Sequence, residues 1–369
     1  MFKQDDLHEL ATYQPETPVL SVYLNVDPTE QKKDEYKLAL KHMLEQVEEA
    51  AAAEDVAAVE RYFDHEYDWS GRGVVLFSCA QDDFWRNYTV ALPVESMVKV
   101  ADRPYVWPLA ALVDAYSSYM VALVDRQGVR MFMFDMGELK ETDEHAGEEI
   151  RKLKRGRGSS GGHGRRGGGP VSSQHEEETV KRNLRGSAKA VEQFWQTHKP
   201  RRLILAGADH TVVQFRDLLP QSLRDKIIGT FAAEMNVSES EIRERSFEIV
   251  RQAEEEREAE LVEAVFTRAA KDRGGAIRLA DTLGAAYEGR VETLIMAPDY
   301  HEPGYQCTNC GYTTDQPVES CPFCGGEFTE IADATEALVE KVIAEGGRVE
   351  VIDGNPKLNE CGVGALLRY

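Results

Sequence analysis

Four of the six cysteines in this 369-residue sequence lie within one short stretch of the chain. Cys307, Cys310, Cys321 and Cys324 form a C-x2-C-x10-C-x2-C pattern, and a glycine follows each pair. Two residues between cysteines allow one tight turn to present both sulfurs to a single ion, and four thiolates leave no open position for water or substrate. The pattern therefore predicts a structural zinc ribbon over 307–324, which we expect to form a small clip on the surface of its domain.

The other two cysteines, Cys79 and Cys361, stand alone, which argues against a disulfide framework. The N-terminal sequence does not resemble a signal peptide, and no apolar run approaches the roughly 20 residues that a membrane helix needs. We therefore expect a soluble, cytoplasmic protein with no membrane partner.

A second feature is the glycine- and arginine-rich stretch at 151–174. It holds seven Lys or Arg residues and no acidic residue, in a chain whose net charge is −22. Guanidinium groups offer planar forks that suit phosphates, and glycine leaves backbone N–H groups accessible. Composition alone leaves two interpretations open, a probe for an RNA-like polyanion and a solvated linker. Because the chain as a whole is acidic, any contact with RNA must come from such a local patch.

The sequence on either side of this stretch is regular. Alternating apolar residues predict a β-hairpin over 119–136. Ser173 and Glu176 form a capping-box signature, which predicts a helix from this point to about His198. Two favourable i,i+4 ion pairs are expected on that helix, Glu177 with Lys181 and Glu178 with Arg182. The basic stretch is thus predicted to lie between a hairpin and a long, rigid helix.

The length and the order of these patterns predict three small α/β domains, at 1–102, 103–237 and 238–369. The second contains the basic loop at 151–174, and the third opens with a long helix and carries the cysteine clip. The expected elements include a strand at 18–26, a helix at 32–60, a helix at 238–271, a helix at 276–283, a strand at 291–296 and a helix at 334–344.

In this order, the features resemble the archaeal and eukaryotic class-1 peptide chain release factors and their relative Pelota. PVLSVYLNV at 18–26 is similar to the opening strand of that family, and residues 102–137 are similar to the start of its central domain. RRLILAGADHTVVQF at 201–215 is similar to the later strand and helix of that domain, and CGVGALLRY at 361–369 to the glycine-rich C-terminal strand. Archaeal members also carry a four-cysteine clip in the third domain, so the resemblance covers essentially the whole chain.

The resemblance implies a first domain on the decoding-centre side of the ribosome and a third domain that docks a translational GTPase. It also implies an RNase H-like central domain that extends a Gly-Gly-Gln loop into the peptidyl transferase centre. This sequence has Gly161-Gly162-His163 in that loop. The Asn-Ile-Lys-Ser stretch of stop-codon readers is missing from 29–37, and 105–107 lacks the cysteine of their second signature. With these departures, the sequence resembles the bacterial branch of the superfamily. That branch includes the hibernation factor Balon, and its members use an elongation-factor-Tu-type GTPase as partner.

Three functions remain open at this point. The first is a ribosome-binding factor that fills the A site and the peptidyl transferase centre in hibernation or stress, without chemistry. Its rRNA contacts are expected from Arg155, Arg157, Arg165 and Arg166. The alternative is a rescue or release factor that hydrolyses peptidyl-tRNA through Gly161, Gly162 and His163. A further alternative is a metal-dependent nuclease that uses Asp125, Asp135 and Asp209. We favour the first, a protein that is not an enzyme.

Overall fold

The structure is a computed structural model that describes residues 4–29, 32–47, 49–149, 170–298 and 300–369. The chain divides into two compact units, Met1–Arg251 and Gln252–Tyr369. Both units contain β-sheets flanked by helices, so the predicted mixed α/β class is confirmed. None of the helices within the described ranges has a segment that is both long and apolar enough to cross a membrane.

The first unit begins with an antiparallel sheet of four strands. These are β1 (Val19–Asn25), β2 (Gly73–Cys79), β3 (Phe84–Val90) and β4 (Met97–Ala101), in the spatial order β3-β2-β1-β4. The associated helices are α1 (Gln4–Thr12), α2 (Lys33–Gln46) and α3 (Ala53–Arg61), with a π-helical turn at Tyr62–Glu66. β1 and β2 are buried on both faces, because α2 and α3 pack on one face and α1 on the other.

The single helix predicted over 32–60 is wrong, because the chain forms α2 and α3 with a break between them. A straight helix of that length would extend about 43 Å. The seven-residue strands beneath it span only about 23 Å. The break lets Leu40 from α2 and Val59 from α3 both reach the same apolar core over the sheet.

The second sheet of this unit has five strands. These are β5 (Tyr119–Val124), β6 (Gly128–Asp135), β7 (Glu138–Ala146), β8 (Arg202–Gly207) and β9 (Ile227–Phe231), in the order β7-β6-β5-β8-β9. Its helices are α4 (Trp107–Ala115), α5 (Pro170–His198), α6 (Asp209–Arg216) and α7 (Gln221–Arg224). β5, β6 and β7 form an antiparallel meander, whereas β8 pairs in parallel with β5 and β9 with β8. The predicted hairpin at 119–136 is therefore confirmed, and it continues into a third strand.

The helix that follows the basic stretch starts earlier than predicted. α5 begins at Pro170 and not at the Ser173 capping box. Proline at a first helical position has its φ already set and loses no intrahelical hydrogen bond there. From this start α5 runs to His198, as predicted, and packs Leu184, Val191 and other apolar residues on the sheet.

The second unit contains a mixed sheet and a small three-stranded sheet. The mixed sheet consists of β10 (Gly275–Ile277), β11 (Val291–Met296), β15 (Arg348–Val351) and β16 (Val363–Leu367), in the order β10-β16-β11-β15. The small sheet has β12 (Gly304–Cys307) between β13 (Thr313–Thr314) and β14 (Phe328–Ile331). The helices are α8 (Glu239–Ala270), within which the boundary between the units falls, α9 (Leu279–Tyr287), α10 (Ala334–Ala344) and α11 (Pro356–Cys361).

One element of the second unit differs from expectation. The helix predicted at 276–283 is replaced by strand β10 and a helix that begins at Leu279, because Ala276 pairs with Ala365 in the sheet. The backbone turns at Arg278, whose φ is +71°. The long helix at 238–271, the strand at 291–296 and the helix at 334–344 are confirmed. The division into three domains stays a prediction.

Candidate functional site

The four clip cysteines come together at one point of the second unit. All four Sγ atoms lie within 4.8 Å of one another. The Sγ atoms of Cys307 and Cys324 are 3.5 Å apart, as are those of Cys310 and Cys321. These separations exceed the about 2.05 Å of a disulfide bond. They are close to the about 3.8 Å expected between sulfurs that each lie about 2.3 Å from one tetrahedral ion. The cluster therefore fits a metal ion bound by four thiolates.

Two matched turns present the sulfurs. The Gly311 N–H donates to the Cys307 carbonyl at 2.9 Å, and the Gly325 N–H donates to the Cys321 carbonyl at 2.8 Å. Both glycines adopt a positive φ, +74° and +71°, a conformation that costs glycine little. Glycine is therefore favoured after each cysteine pair because the turn there needs a positive φ. The first pair begins at Cys307, the last residue of β12.

Hydrogen bonds to the sulfurs favour thiolates in part of the cluster. The Asn309 side chain and the Gly326 N–H lower the pKa of the Cys324 thiol to about 6. The Tyr312 N–H lowers the pKa of Cys310. Burial raises the pKa of Cys321 to about 11. A bound cation would be needed to hold this last cysteine as a thiolate at neutral pH, because ligand thiols lose their protons on metal binding.

Aromatic side chains attach the clip to α9. The Tyr287 ring on α9 lies 5.0 Å from the Tyr312 ring and 4.4 Å from the Phe323 ring, measured between centroids. The Tyr287 hydroxyl also bonds Cys310, and this interaction raises the pKa of Tyr287 to about 12. Tyr287 thus connects the clip to α9 of the same unit in two ways, by aromatic packing and by a hydrogen bond with a cysteine sulfur.

The second candidate site is the basic loop of the first unit. Its predicted RNA contacts and its central motif all lie at 150–169, outside the described residues; they are Arg155, Arg157, Arg165, Arg166, Gly161, Gly162 and His163. The described chain reaches Glu149 on one side and resumes at Pro170 on the other. The site can therefore be described at its base, where the chain leaves β7 and where it enters α5.

A buried asparagine holds this base together. Asn183 on α5 is 3% exposed, and its Oδ1 accepts a hydrogen bond of 2.8 Å from the Glu148 N–H. Its Nδ2 donates to the carbonyls of Glu148 and Arg126, at 2.9 and 3.2 Å. A Cβ on Gly147 would lie 2.3 Å from Asn183 Oδ1, so only glycine fits at 147 without displacing its neighbours. Asn183, Gly147, Glu148 and Arg126 form what we call the base clamp.

Two ion pairs flank the base clamp. Arg182 Nη1 lies 2.8 Å from Glu148 Oε1, and Arg126 Nη2 lies 3.0 Å from Glu176 Oε1. The predicted pair of Glu178 with Arg182 is wrong. Arg182 instead pairs with Glu148, which follows strand β7, and not with a residue of its own helix. The predicted Glu177–Lys181 pair is also not formed among the described residues. Exposed ion pairs each contribute little to stability, so we expect the hydrogen bonds of the buried Asn183 to contribute most of the stability of the base clamp.

The part of the chain that contains the base clamp matches a known protein family. Residues 104–254 match the family described as Bacterial archaeo-eukaryotic release factor family 10. Peptide chain release factor subunit 1 of Thermococcus kodakarensis is 25% identical over 251 residues, which are 60% of this chain and 60% of that relative. The same subunit of Methanococcus maripaludis is 26% identical over 318 residues, which are 75% of this chain and 72% of that relative. These matches support the release factor and Pelota superfamily, and its bacterial branch, for this chain.

Among solved structures, Archaeoglobus fulgidus Pelota is 14% identical, with 82% of this chain and 81% of that chain covered at a TM-score of 0.35. The family match at 104–254 contains the five-stranded sheet, α5 and the base clamp. The first relative is matched over 60% of its length.

The three candidate nuclease carboxylates do not lie together in the structure. Asp125 and Asp209 follow the ends of β5 and β8, which are parallel and end at the same edge of the sheet. Asp135 ends β6, which runs antiparallel to β5, so it lies at the opposite edge, where Phe134 pairs with Tyr119. Asp125 instead accepts hydrogen bonds from the N–H groups of Gln127 and Gly128 in the hairpin turn. The three carboxylates therefore cannot share a metal ion.

The sequence reasoning missed the base clamp. The available signal was a polar residue within the apolar stripe of α5, where Asn183 sits between Val180 and Leu184. A buried polar side chain needs hydrogen-bond partners, so an asparagine at such a position indicates a backbone segment nearby that it holds.

Proposed function

We propose that this protein is a ribosome-binding translation factor that occupies the A site and the peptidyl transferase centre without reading stop codons, in hibernation or stress protection. The observation that carries this proposal is the match of 104–254 to a release factor family, because the basic stretch at 151–174 falls inside it. The matched relatives named peptide chain release factor subunit 1 support a site of action on the ribosome in the cytoplasm.

The domain plan belongs to the same proposal, with domains at 1–102, 103–237 and 238–369. An antiparallel meander followed by two parallel strands, in the order β7-β6-β5-β8-β9, supports an RNase H-like central domain. In such a domain the basic loop leaves from one edge of the sheet, after the edge strand β7. The base clamp then serves to fix the point from which the loop departs.

The rRNA contacts are proposed for Arg155, Arg157, Arg165 and Arg166, since guanidinium groups pair with phosphate oxygens. Similarity to the release factor and Pelota superfamily supports a translational GTPase of the elongation-factor-Tu type as partner of the third domain. Zinc is proposed as the ion of the clip, because a closed set of four thiolates is the ligand set of structural zinc sites. When bound, the ion would supply structural cross-linking, and no reaction step passes through it.

A second candidate function is rescue or release by hydrolysis of peptidyl-tRNA. It is favoured by the names of the matched relatives and by Gly161-Gly162-His163 within the loop sequence. The Gly-Gly-Gln loop of the superfamily requires close placement of an amide side chain, and an imidazole differs from it in size and shape. We therefore place this function second.

The test uses the purified full chain and ribosomes from stationary-phase cells. We expect cosedimentation at moderate salt that weakens steeply as salt rises, because phosphate contacts release counterions. Failure to cosediment at any moderate salt would rule out the proposed function. Ribosomes loaded with peptidyl-tRNA separate the two candidates. Peptide release that disappears in the His163→Ala variant would establish the enzymatic alternative, and binding without release supports occupancy.

A further inference from the structure

The outward face of α5 carries a row of cations that the proposed loop contacts do not account for. Lys181, Arg185 and Lys189 are exposed and follow one another at intervals of four residues. We call these three residues the α5 ridge. Residues four apart are neighbours on a helix surface, so the ridge is a row that is slightly inclined to the helix axis and about 12 Å long.

The ridge cations have no partners within the described part of the chain. None of the three takes part in an ion pair or a side-chain hydrogen bond there. The neighbouring Arg182, in contrast, is paired with Glu148. Three adjacent cations with no carboxylate partner among the described residues leave a local positive charge on a chain whose net charge is −22.

The helix holds the ridge rigidly. On its inward face Val180, Leu184, Ala188 and Val191 are buried against the sheet, and Asn183 is bonded to the strand side. The cations are therefore presented in a fixed line before any ligand binds. A preorganised row loses less conformational entropy on binding than the same residues in a flexible chain.

We infer that the α5 ridge binds the phosphate backbone of RNA, as a contact separate from the basic loop. Phosphates along one strand of a duplex are spaced about 3.4 Å apart along the axis, so a 12 Å row faces about three or four of them. The ridge begins about 17 Å along α5 from its first residue, behind the loop in chain order. This inference rests on the proposed function, because it assigns a second rRNA-binding surface to the same domain.

Charges around the ridge define its limits. Glu177 and Glu178 lie one turn before Lys181, and Glu192 lies one turn after Lys189. These carboxylates repel phosphate, so RNA would be held along the middle turns of α5 alone. The pattern favours a short contact with one backbone segment over a broad basic surface.

The test measures binding of the full chain to a fluorescently labelled RNA duplex of about 16 base pairs across a range of KCl concentrations. The ridge variant carries Lys181→Gln, Arg185→Gln and Lys189→Gln, because glutamine keeps helix propensity and removes the charge. A matched control carries Arg268→Gln, Lys271→Gln and Arg273→Gln, three exposed cations of the second unit. Thermal melting of each variant checks that it folds.

We expect the slope of log K against log salt to become shallower by about 2 to 3 in the ridge variant and to stay unchanged in the control. Equal slopes in the ridge variant and the wild type would overturn the inference, as would an equal change in the control or no duplex binding by the wild type. Displacement of the RNA by poly-glutamate of equal charge would also overturn it, since the ridge would then serve an acidic protein.

A second variant keeps the inference testable if the ridge variant does not fold. Glu177→Gln with Glu178→Gln removes the flanking repulsion, and we expect RNA binding to tighten several-fold; unchanged affinity would count against the ridge. Ribosome cosedimentation separates the two proposals. A ridge variant that keeps its RNA slope while the wild type still cosediments refutes the ridge alone. A wild type that binds the duplex and never cosediments refutes the proposed function alone.

Discussion

The cysteine clip and the base clamp solve the same physical problem with different chemistry. Both hold an irregular segment against a regular element, the clip beside α9 and the clamp beside α5. The clip relies on four sulfurs around one point, and the clamp relies on one buried amide that accepts one hydrogen bond and donates two. A metal site therefore concentrates its stability in one set of bonds that is lost when the ion is removed, whereas a hydrogen-bonded site loses stability one bond at a time.

The largest effect is expected in the clip. Replacing Cys321→Ser should abolish binding of one zinc ion per chain, and the second unit should unfold well below the wild-type temperature. Structural zinc contributes about 10–16 kcal/mol of apparent binding free energy, which becomes folding free energy. Elemental analysis and calorimetry check both points. Cys361→Ser is the control in the same unit, and a Cys321→Ser protein with undiminished zinc would contradict the four-thiolate site.

A smaller, stepwise effect is expected in the clamp. Asn183→Ala should destabilise the first unit by about 3 kcal/mol, because the buried amide is lost and the Glu148 N–H and two carbonyls lose their partner. Urea unfolding measures the change. Ser187→Ala is the matched control, since Ser187 is fully buried on the same helix and its Oγ has no hydrogen-bond partner among the described residues. Equal costs for the two substitutions would mean that Asn183 is not a clamp.

The close contact within the clamp gives a sharper test. Gly147→Ala places a Cβ against Asn183 Oδ1 and the Gln127 carbonyl, and it should cost about 2 kcal/mol through overpacking. In the Asn183→Ala background part of this clash disappears, so the two costs should not add. A double-mutant cycle measures the coupling, which we expect at about 1 kcal/mol. Strict additivity would show that the two residues do not act together.

The smallest effect concerns a charge cluster in the unit that carries the clip. Burial, followed by the nearby Glu254, raises the pKa of Glu258 to about 7, and Glu350 and Glu255 add to this against the opposing Arg257. The folded state therefore retains a proton that the unfolded chain releases at lower pH, and stability falls as pH rises from about 4.5 to 7. Glu258→Gln should stabilise this unit above pH 7, by on the order of 1 kcal/mol after allowing for partial exposure.

This pH dependence has the opposite sign to that of the clip, because thiolate ligands are lost to protons as pH falls. Melting curves of the Glu258→Gln and Cys321→Ser proteins across pH therefore separate the two contributions. A Glu258→Gln protein that gains no stability at high pH relative to low pH would contradict the raised pKa.

The clip and the clamp also differ in how far their sequence signals are local, which decides what could be predicted from the sequence. The cysteine cluster, β11 and α10 could be predicted, because their signals are local: two matched Cys-x-x-Cys motifs, an apolar run, and an amphipathic stretch that begins at the Asp333 N-cap. β7 could not, since its sequence ELKETDEHA is almost entirely polar and the strand is an exposed edge held by β6. The partners of Asn183 are 35 and 57 residues away, so no local pattern identifies them.

The most direct test of the central claim is footprinting of rRNA in complexes of ribosomes with this protein. The wild type should protect nucleotides of both the A site and the peptidyl transferase centre. A variant with Arg155, Arg157, Arg165 and Arg166 changed to Gln should lose the protections at the peptidyl transferase centre first. Binding that leaves the peptidyl transferase centre unprotected in the wild type would contradict the proposal that the loop occupies it.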